Sequence, residues 1–81
     1  MQKNTDLQDT FLAAARRDET PLTVFLMNGF QMRGTITDFD HFTVVLTADG
    51  RQNLIYKHAI STISPARAVD LAQRSLREIS A

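Results

Sequence analysis

Several residue types that stabilise small proteins or build reactive sites are missing or scarce in this chain. Cysteine is absent, which excludes disulfides and thiolate metal ligands. The two histidines, His41 and His58, are too few for a histidine-only metal site within one chain. Nine basic residues balance nine acidic ones, so the chain has no net charge. Any binding to a polyanion must therefore come from the local placement of charge.

Long apolar segments are also missing. No apolar run approaches the ~20 residues of a membrane span, and the first residues lack the apolar core of a signal peptide. We therefore expect a cytoplasmic protein with no membrane partner. The 81 residues leave room for one core, and a domain of this size buries only about 60–65% of the surface that its unfolded form exposes. Because disulfides are excluded, we expect self-association to provide stability.

The first segment of the chain, about residues 6–18, has the pattern of an amphipathic helix. Thr5 and Gln8 have the spacing of a capping box at its start. Pro21 biases Thr20 towards an extended conformation and ends the helix. Apolar residues recur at helical spacing, namely Leu7, Phe11, Leu12 and Ala15.

Branched and aromatic residues then predict five short strands joined by tight turns. Asn28-Gly29 predicts the first hairpin turn, with positive φ at both residues. Gly34, inside the second strand, predicts a sharp bend. One helix followed by five strands indicates a mainly β fold, a small antiparallel barrel. The predicted strands cover about residues 22–27, 30–39, 43–47, 53–56 and 60–64.

The edge of the sheet and the end of the chain carry separate predictions. The fifth strand contains no lysine, arginine or internal proline that would protect an exposed edge. We therefore expect this edge to pair with a neighbouring subunit. The domain is expected over residues 1–65. Residues 66–81 are expected to form a mobile or weakly helical tail, because an isolated helix of this length is marginal.

The acidic segment Asp38-Phe39-Asp40-His41 raises the question of a metal site or a small hydrolase. Carboxylates in a strand–turn segment are more often turn formers and surface residues. No nucleophile or third ligand accompanies them at a recognisable spacing. We therefore predict no catalytic residues, no metal site and no cofactor.

A longer motif carries a more specific signal. The segment Tyr56-Lys57-His58-Ala59-Ile60-Ser61-Thr62 resembles the signature of Hfq, the bacterial Sm-like (LSm) RNA chaperone family. The resemblance covers roughly residues 5–65. Other landmarks fall where that family has them: Leu7-Gln8-Asp9, Phe11-Leu12, Arg16-Arg17, Asn28-Gly29, Gly34, Phe39-Asp40 and Phe42.

The resemblance implies a fold, an assembly and a function. The fold is a bent five-stranded Sm barrel with an N-terminal helix, a form of SH3-like small barrel. Six copies would close into a ring by pairing the fourth and fifth strands of adjacent subunits. The function would be that of a non-enzymatic RNA chaperone, a post-transcriptional regulator that promotes pairing between small regulatory RNAs and mRNAs. A ring concentrates weak contacts from each copy, so a neutral chain can still bind RNA multivalently.

The resemblance also implies three RNA-binding surfaces, on which bases stack on aromatic rings and hydrogen-bond through their edges. A proximal pore would hold uridine-rich 3′ ends through Gln8, His41, Phe42, Tyr56, Lys57 and His58. A distal face would hold adenosine-rich RNA through Phe25, Leu26, Gly29, Phe30, Met32, Arg33, Asn53, Ser61 and Thr62. A rim would bind RNA through Arg16, Arg17 and Phe39.

This sequence departs from the family pattern at several of these positions. Arg33 and Asn53 stand where glutamines are common, which leaves the sequence preference of the distal face open. A histidine, His41, stands where glutamine is frequent. Asp18 and Glu19 directly follow the rim arginines and reduce the local positive potential. We therefore expect a weak rim and modest annealing activity.

Other interpretations of the same residues remain open from the residues alone. Phe42 could be a core aromatic and Lys57 a solvated turn residue, and the rim arginines a solvated helix end. An SH3-like protein-interaction module would need an aromatic groove for extended peptides, and one tyrosine with no tryptophan argues against it. Strand alternation would also let some aromatic and apolar residues fill the barrel instead, namely Phe25, Phe30 and Met32.

Overall fold

The computed structural model describes residues 7–69 and 71 of the chain. One helix precedes five antiparallel strands, as the sequence predicts, and the strand order in the sheet is β4-β3-β2-β1-β5. The predicted cap Thr5 and most of the predicted tail lie outside the described residues. The elements are α1 Leu7–Arg17, β1 Leu22–Leu26, β2 Gln31–Phe39, β3 Thr43–Ala48, β4 Arg51–Tyr56 and β5 Ile60–Pro65, with a short 3-10 helix at Lys57–Ala59.

The long strand β2 belongs to two halves of the sheet. Its residues 31–34 pair with β1, and its residues 35–39 pair with β3. Gly34 lies where the partner changes, and a Cβ atom there would overlap the Thr47 carbonyl oxygen and lie 3.1 Å from Ala48 Cβ. Position 34 thus requires glycine for a steric reason, because only glycine lets the backbones of β2 and β3 approach so closely. The register shift in β2 lies further along the strand, between Ile36 and Asp38.

The core forms where the helix packs against the curled sheet. α1 contributes Leu12 and Ala15, and it packs against β2. Thr20 follows the helix and is also buried, with its backbone N–H donating to the Ala15 carbonyl at 3.1 Å. The remaining core side chains alternate along the strands, namely Leu22, Val24, Ile36, Val44, Leu46 and Ile55.

The first hairpin differs from the sequence prediction. Leu26 N–H donates to the Phe30 carbonyl, and Gly29 N–H donates to the Leu26 carbonyl, at 2.8 and 2.9 Å. Only Gly29 has a positive φ, of 96°, so the prediction of positive φ at Asn28 is wrong. The loop has three residues rather than two, and such loops need the left-handed conformation only at the last position.

The second hairpin, between β3 and β4, is the two-residue turn that needs positive φ twice. Asp49 has φ 52° and Gly50 has φ 77°. This primed turn matches the right-handed twist of the flanking strands.

The two ends of the sheet are left without a strand partner in the described chain. β4 and β5 each have one neighbouring strand. After Pro65 the chain stays on the body of the protein, because Ala66 N–H donates to the Pro21 carbonyl at 2.8 Å and Val69 packs against the core. In the described part of the chain, no helix is both long enough and apolar enough to cross a membrane.

Candidate nucleic-acid interface

The segment after β4 meets the turn between β2 and β3. The backbone N–H of Lys57 donates to the Phe42 carbonyl at 2.8 Å. The Phe42 side chain is 70% exposed, so its interpretation as a core aromatic is wrong. His41 meets the Phe42 ring edge-on, with centroids 4.7 Å apart. The two rings form an exposed aromatic surface beside the Lys57 segment.

A second pair of rings lies on the same segment. Tyr56, at the end of β4, and His58, in the 3-10 helix, stack with centroids 5.7 Å apart and an interplanar angle of 17°. Both residues are exposed. An exposed imidazole can donate to phosphate or to a sugar hydroxyl.

Lys57 is not a solvated turn residue. Its side chain is only 15% exposed, and its Nζ lies 3.8 Å from Asp9 Oδ1 on α1. The same Nζ lies 5.7 Å from the centroid of the Phe39 ring on β2. The ammonium group is thus held by a carboxylate and by an aromatic face.

A groove of about 410 Å³ runs between α1 and β5. Gln8 and Lys57 both line it, together with Leu7 and Phe11 of the helix and residues 60–63 of β5. Gln8 and Lys57 can therefore both contact one ligand there. The predicted proximal residues thus form three neighbouring groups around Lys57. His41 meets Phe42, Tyr56 stacks on His58, and Gln8 lines the groove with Lys57.

The acidic turn before Phe42 is held by hydrogen bonds to one carboxylate oxygen. Asp40 Oδ1 accepts hydrogen bonds from Thr43 Oγ1, Phe42 N and Thr43 N at 2.7, 2.9 and 2.8 Å. The Thr43 hydroxyl, followed by the two backbone N–H groups, holds the pKa of the Asp40 carboxyl below its ordinary value. Asp40 therefore fixes the turn that presents His41 and Phe42. Within residues 7–69, no group of three or more potential ligands could hold a metal ion.

Both arginines predicted for the rim face carboxylates. Arg16 lies over the Phe39 ring, with Cζ 5.1 Å from the centroid, and its Nη1 lies 3.4 Å from Asp38 Oδ1. Arg17 donates from Nε and Nη2 to the two oxygens of Asp18, at 2.9 and 3.0 Å. This hydrogen bonding by Arg17 lowers the pKa of the Asp18 carboxyl. The positive charge of the rim is therefore largely balanced by neighbouring acids.

Most of the predicted distal residues meet on β1 and its two neighbours. Phe25 lies directly between Gln31 on β2 and Thr62 on β5. Ser61 Oγ donates to the Phe25 carbonyl at 3.1 Å. Phe30 is 69% exposed, so its interpretation as a core residue is wrong. Gly29 and Arg33 are also exposed and lie on the same hairpin.

Three of the predicted distal residues lie differently. Leu26 and Met32 are half-buried and pack against the core, so Met32 fills the barrel at least in part, as strand alternation allows. Asn53 lies on β4, opposite Leu46, and β3 and β2 separate β4 from β1 in the sheet. A single copy of the chain therefore does not bring Asn53 to Phe25.

Two acids contact the cations of these surfaces, and the sequence predicts neither contact. Asp9 pairs with Lys57, and Asp38 pairs with Arg16. Asp9 follows Gln8 on the helix, which places it near the proximal surface, but this position does not predict that Asp9 pairs with Lys57. The ion pairs join residues far apart in the chain, so no local pattern reveals them.

The topology and these surfaces define a class of protein. The fold is a small Sm-like barrel with an N-terminal helix, and it exposes aromatic rings beside cations in the way that proteins do when they stack single-stranded bases.

Comparison with known proteins gives the family. The family model described as Hfq protein matches residues 7–70. The RNA-binding protein Hfq of Moorella thermoacetica is 57% identical over 76 residues, which are 94% of this chain and 90% of that protein. The RNA-binding protein Hfq of an Exiguobacterium species is 51% identical over 80 residues, which are 99% and 98% of the two chains.

Solved structures of Hfq proteins also superpose on this chain. A crystal structure of the pleiotropic translational regulator Hfq superposes with a TM-score of 0.71 at 47% identity, over 73% of this chain and 98% of that one. The Hfq protein from Anabaena sp. gives a TM-score of 0.67 at 27% identity, over 73% and 95% of the two chains. The chain belongs to the Hfq family of RNA-binding proteins, which is not a family of enzymes.

Proposed function

We propose that this protein is an RNA chaperone that acts as a homo-hexameric ring. It binds uridine-rich RNA 3′ ends at a proximal pore and adenosine-rich RNA on a distal face. By holding two RNAs at once, it promotes pairing between small regulatory RNAs and mRNAs in the cytoplasm. The observation that carries this proposal is the division of the distal residues between the two free edges of the sheet.

That division needs a second copy to make a complete site. Asn53 lies on β4, whereas Ser61 and Thr62 lie on β5, at the opposite end of the strand order. If β4 of one subunit pairs with β5 of the next, Asn53 becomes a near neighbour of these two hydroxyls. Backbone pairing of the two edges also satisfies the N–H and C=O groups that each edge leaves open.

The apolar surfaces at the two edges support the same assembly. Leu54 and Tyr56 on β4 are 61% and 55% exposed. The groove between α1 and β5 has an apolar lining that includes Leu7 and Ile60. Large exposed apolar side chains next to an open edge favour burial by a neighbouring subunit. We therefore assign Leu54 on β4 and the apolar lining of the groove, at Leu7 and Ile60, to the subunit contact, next to the proximal surface.

The proximal surface has the chemistry for uridine. The exposed Phe42 ring offers a stacking platform, and base stacking is worth about 1–3 kcal/mol per base. Gln8 and Lys57 line one groove and supply hydrogen-bond donors for a pyrimidine edge. Sixfold repetition would bring six such groups to one axis, so contacts that are weak in one subunit would act together on one RNA.

The rim would contribute weakly. Arg16 and Arg17 are already engaged by Asp38 and Asp18. RNA phosphates must compete with these carboxylates, so we assign modest annealing activity to this protein.

The assembly is tested by size-exclusion chromatography with light scattering. The proposal expects a mass of six chains at dilute concentration. A clean monomer would contradict the ring and would favour an SH3-like protein-interaction module, which needs no second copy.

The two RNA surfaces are tested by fluorescence anisotropy with short oligo-U and oligo-A RNAs. We expect both RNAs to bind, and unlabelled oligo-U should not displace labelled oligo-A because they occupy different faces. Mutual displacement would contradict two separate surfaces, and failure of both RNAs to bind would overturn the proposed function.

A further inference from the structure

A second polar row lies beside Phe25 on the outer face of the sheet. Thr23 on β1 is directly opposite Arg33 on β2 and Ser64 on β5. Residues directly opposite each other point their side chains to the same face. Since Leu22 and Val24 on either side of Thr23 are buried, the Thr23 row faces outward. One guanidinium and two hydroxyls thus lie in a line across three strands.

A groove of about 360 Å³ opens over this row. Among the described residues that line it, Arg33 is the one cation, and none is a carboxylate. The hydroxyls of Thr23 and Ser64 also line it, and neither makes a side-chain hydrogen bond to the residues that the structure describes. The groove therefore offers three unused donor groups to an anion.

The charge of Arg33 is also unused within residues 7–69. Arg16, Arg17 and Lys57 each face a carboxylate. In that part of the chain, Arg33 and Arg51 have neither an ion pair nor a side-chain hydrogen bond. Arg51 lies at the turn between β3 and β4, outside the groove. Among the described residues, Arg33 is thus a cation without an ion pair that lines a groove together with two hydroxyl groups.

We propose that the Thr23–Arg33–Ser64 row is a phosphate subsite, which binds a phosphodiester of the RNA whose base stacks on Phe25. This inference rests on the proposed function and deepens it. Thr23 precedes Phe25 by two residues on β1, which separates them by about 6.8 Å. A nucleotide carries its phosphate at a comparable distance from its base. One nucleotide can therefore stack its base on Phe25 and place its phosphate at the Thr23–Arg33–Ser64 row.

This assignment gives Arg33 a role different from reading a base. The guanidinium donates two parallel hydrogen bonds to a phosphate, and the two hydroxyls donate to the remaining oxygens. Contacts of this kind position RNA without selecting its sequence. Arg33 would therefore strengthen binding of RNA to the distal face without adding selectivity for adenine.

The test compares oligo-A RNA with the same RNA carrying one neutral methylphosphonate linkage, moved along the chain. With the unmodified RNA, Arg33→Gln is expected to weaken binding roughly five- to tenfold, and Thr23→Val or Ser64→Ala about threefold. The slope of log K against log salt should become shallower by about 0.7 for each phosphate that the variant no longer neutralises. Valine keeps the shape and strand preference of threonine, so Thr23→Val should fold normally.

The decisive measurement is whether the loss of affinity caused by a methylphosphonate depends on the presence of Arg33. In the unmodified protein, at least one methylphosphonate position should weaken binding, and in Arg33→Gln that same position should have no further effect. Arg51→Gln is the matched control, because it removes the same charge from an exposed arginine outside the groove. It should leave the methylphosphonate effect intact.

Failure of the subsite is distinguishable from failure of the proposed function. If oligo-A binds and the methylphosphonate effect is equal in Arg33→Gln and in the unmodified protein, the subsite is overturned while RNA binding stands. If Arg51→Gln removes the effect as completely as Arg33→Gln, general charge explains it and the subsite is also overturned. If inorganic phosphate shifts the amide resonances of Thr23 and Ser64 but no coupling is found, only free anions bind and the phosphodiester assignment fails. If oligo-A does not bind at all, the proposed function fails as well.

Discussion

The ammonium nitrogen of Lys57 lies 5.7 Å from the centroid of the Phe39 ring. The guanidinium of Arg16 lies 5.1 Å from the same centroid. Lys57 belongs to the surface assigned to the pore and Arg16 to the surface assigned to the rim. One aromatic ring therefore contacts a cation of each surface, and it links two sites that the sequence treats as separate.

Removing this ring should affect both surfaces. We expect Phe39→Leu to slow RNA annealing about two- to fivefold, because an exposed cation–π contact such as that of Arg16 is worth roughly 0.5–1 kcal/mol. It should weaken oligo-U binding at least as much, because the Lys57 side chain is largely buried. Phe39→Tyr keeps the ring and should retain both activities. Anisotropy with oligo-U and a strand-annealing assay give the two readouts. A loss confined to annealing would mean that the ring does not position Lys57.

The two RNA faces should separate under substitution. Lys57→Ala should impair oligo-U binding far more than oligo-A binding, since Lys57 lies on the surface that carries Phe42 and not on β1. Phe25→Ala is the reciprocal variant and should cost oligo-A about 1–3 kcal/mol per stacked base. Equal losses on both RNAs in either variant would contradict the assignment of the faces.

The rim should gain activity when its acids are neutralised. Asp18→Asn removes the carboxylate that lies 2.9 Å from Arg17 Nε, so RNA phosphates have one competitor fewer for the Arg17 guanidinium. We expect annealing to accelerate by up to about fivefold, within the range of exposed ion pairs. Glu19→Gln removes the same charge from the next residue, which has no ion pair in the described part of the chain. An equal acceleration in Glu19→Gln would show that net charge, and not the Arg17 pair, limits the rim.

Acid should weaken the turn that presents Phe42. The pKa of the Asp40 carboxyl in the folded protein is held below its ordinary value of 3.8, chiefly by the Thr43 hydroxyl. The stability from this carboxylate is therefore present above about pH 4 and is lost as the pH falls through the lowered pKa. Thermal unfolding measured on acidification should show a shallower loss of stability for Asp40→Asn, which keeps an acceptor oxygen without a charge.

The matched variant for the Asp40 turn is Asp40→Ala. It lacks the acceptor, so it should be less stable than the unmodified protein at neutral pH as well as in acid. If Asp40→Asn lost stability on acidification as steeply as the unmodified protein, titration of Asp40 would not be the cause.

The close approach of β2 to β3 should depend on the absence of a side chain at Gly34. A methyl group there would meet the Thr47 carbonyl, so Gly34→Ala should lower the free energy of unfolding by about 1–3 kcal/mol. Gly50 has open space around it and a φ that asparagine tolerates, so Gly50→Asn should change stability by less than about 1 kcal/mol. Chemical denaturation measures both. Similar stabilities for the two variants would mean that β2 and β3 can separate at low cost.

Much of the fold follows from local patterns in the chain. The helical stripe of α1 and the five strands depend on residues close in sequence, and the structure has each of them. The first hairpin is the exception. Asn28-Gly29 indicates a turn, but the length of its loop depends on how β1 and β2 pair, and one residue more moves the positive φ away from Asn28.

Local patterns in the chain specify which elements form and which residue types they expose, because helical period, strand alternation and turn chemistry act over a few residues. The pairing of charges depends instead on the folded chain: Asp9 meets Lys57, Asp38 meets Arg16, and both cations lie near Phe39. The tertiary structure also separates Asn53 from Phe25 and, within the described residues, leaves Arg33 without a carboxylate. The physical reason is that these contacts depend on how α1 lies on a curled sheet, and that curl is set by long-range strand pairing.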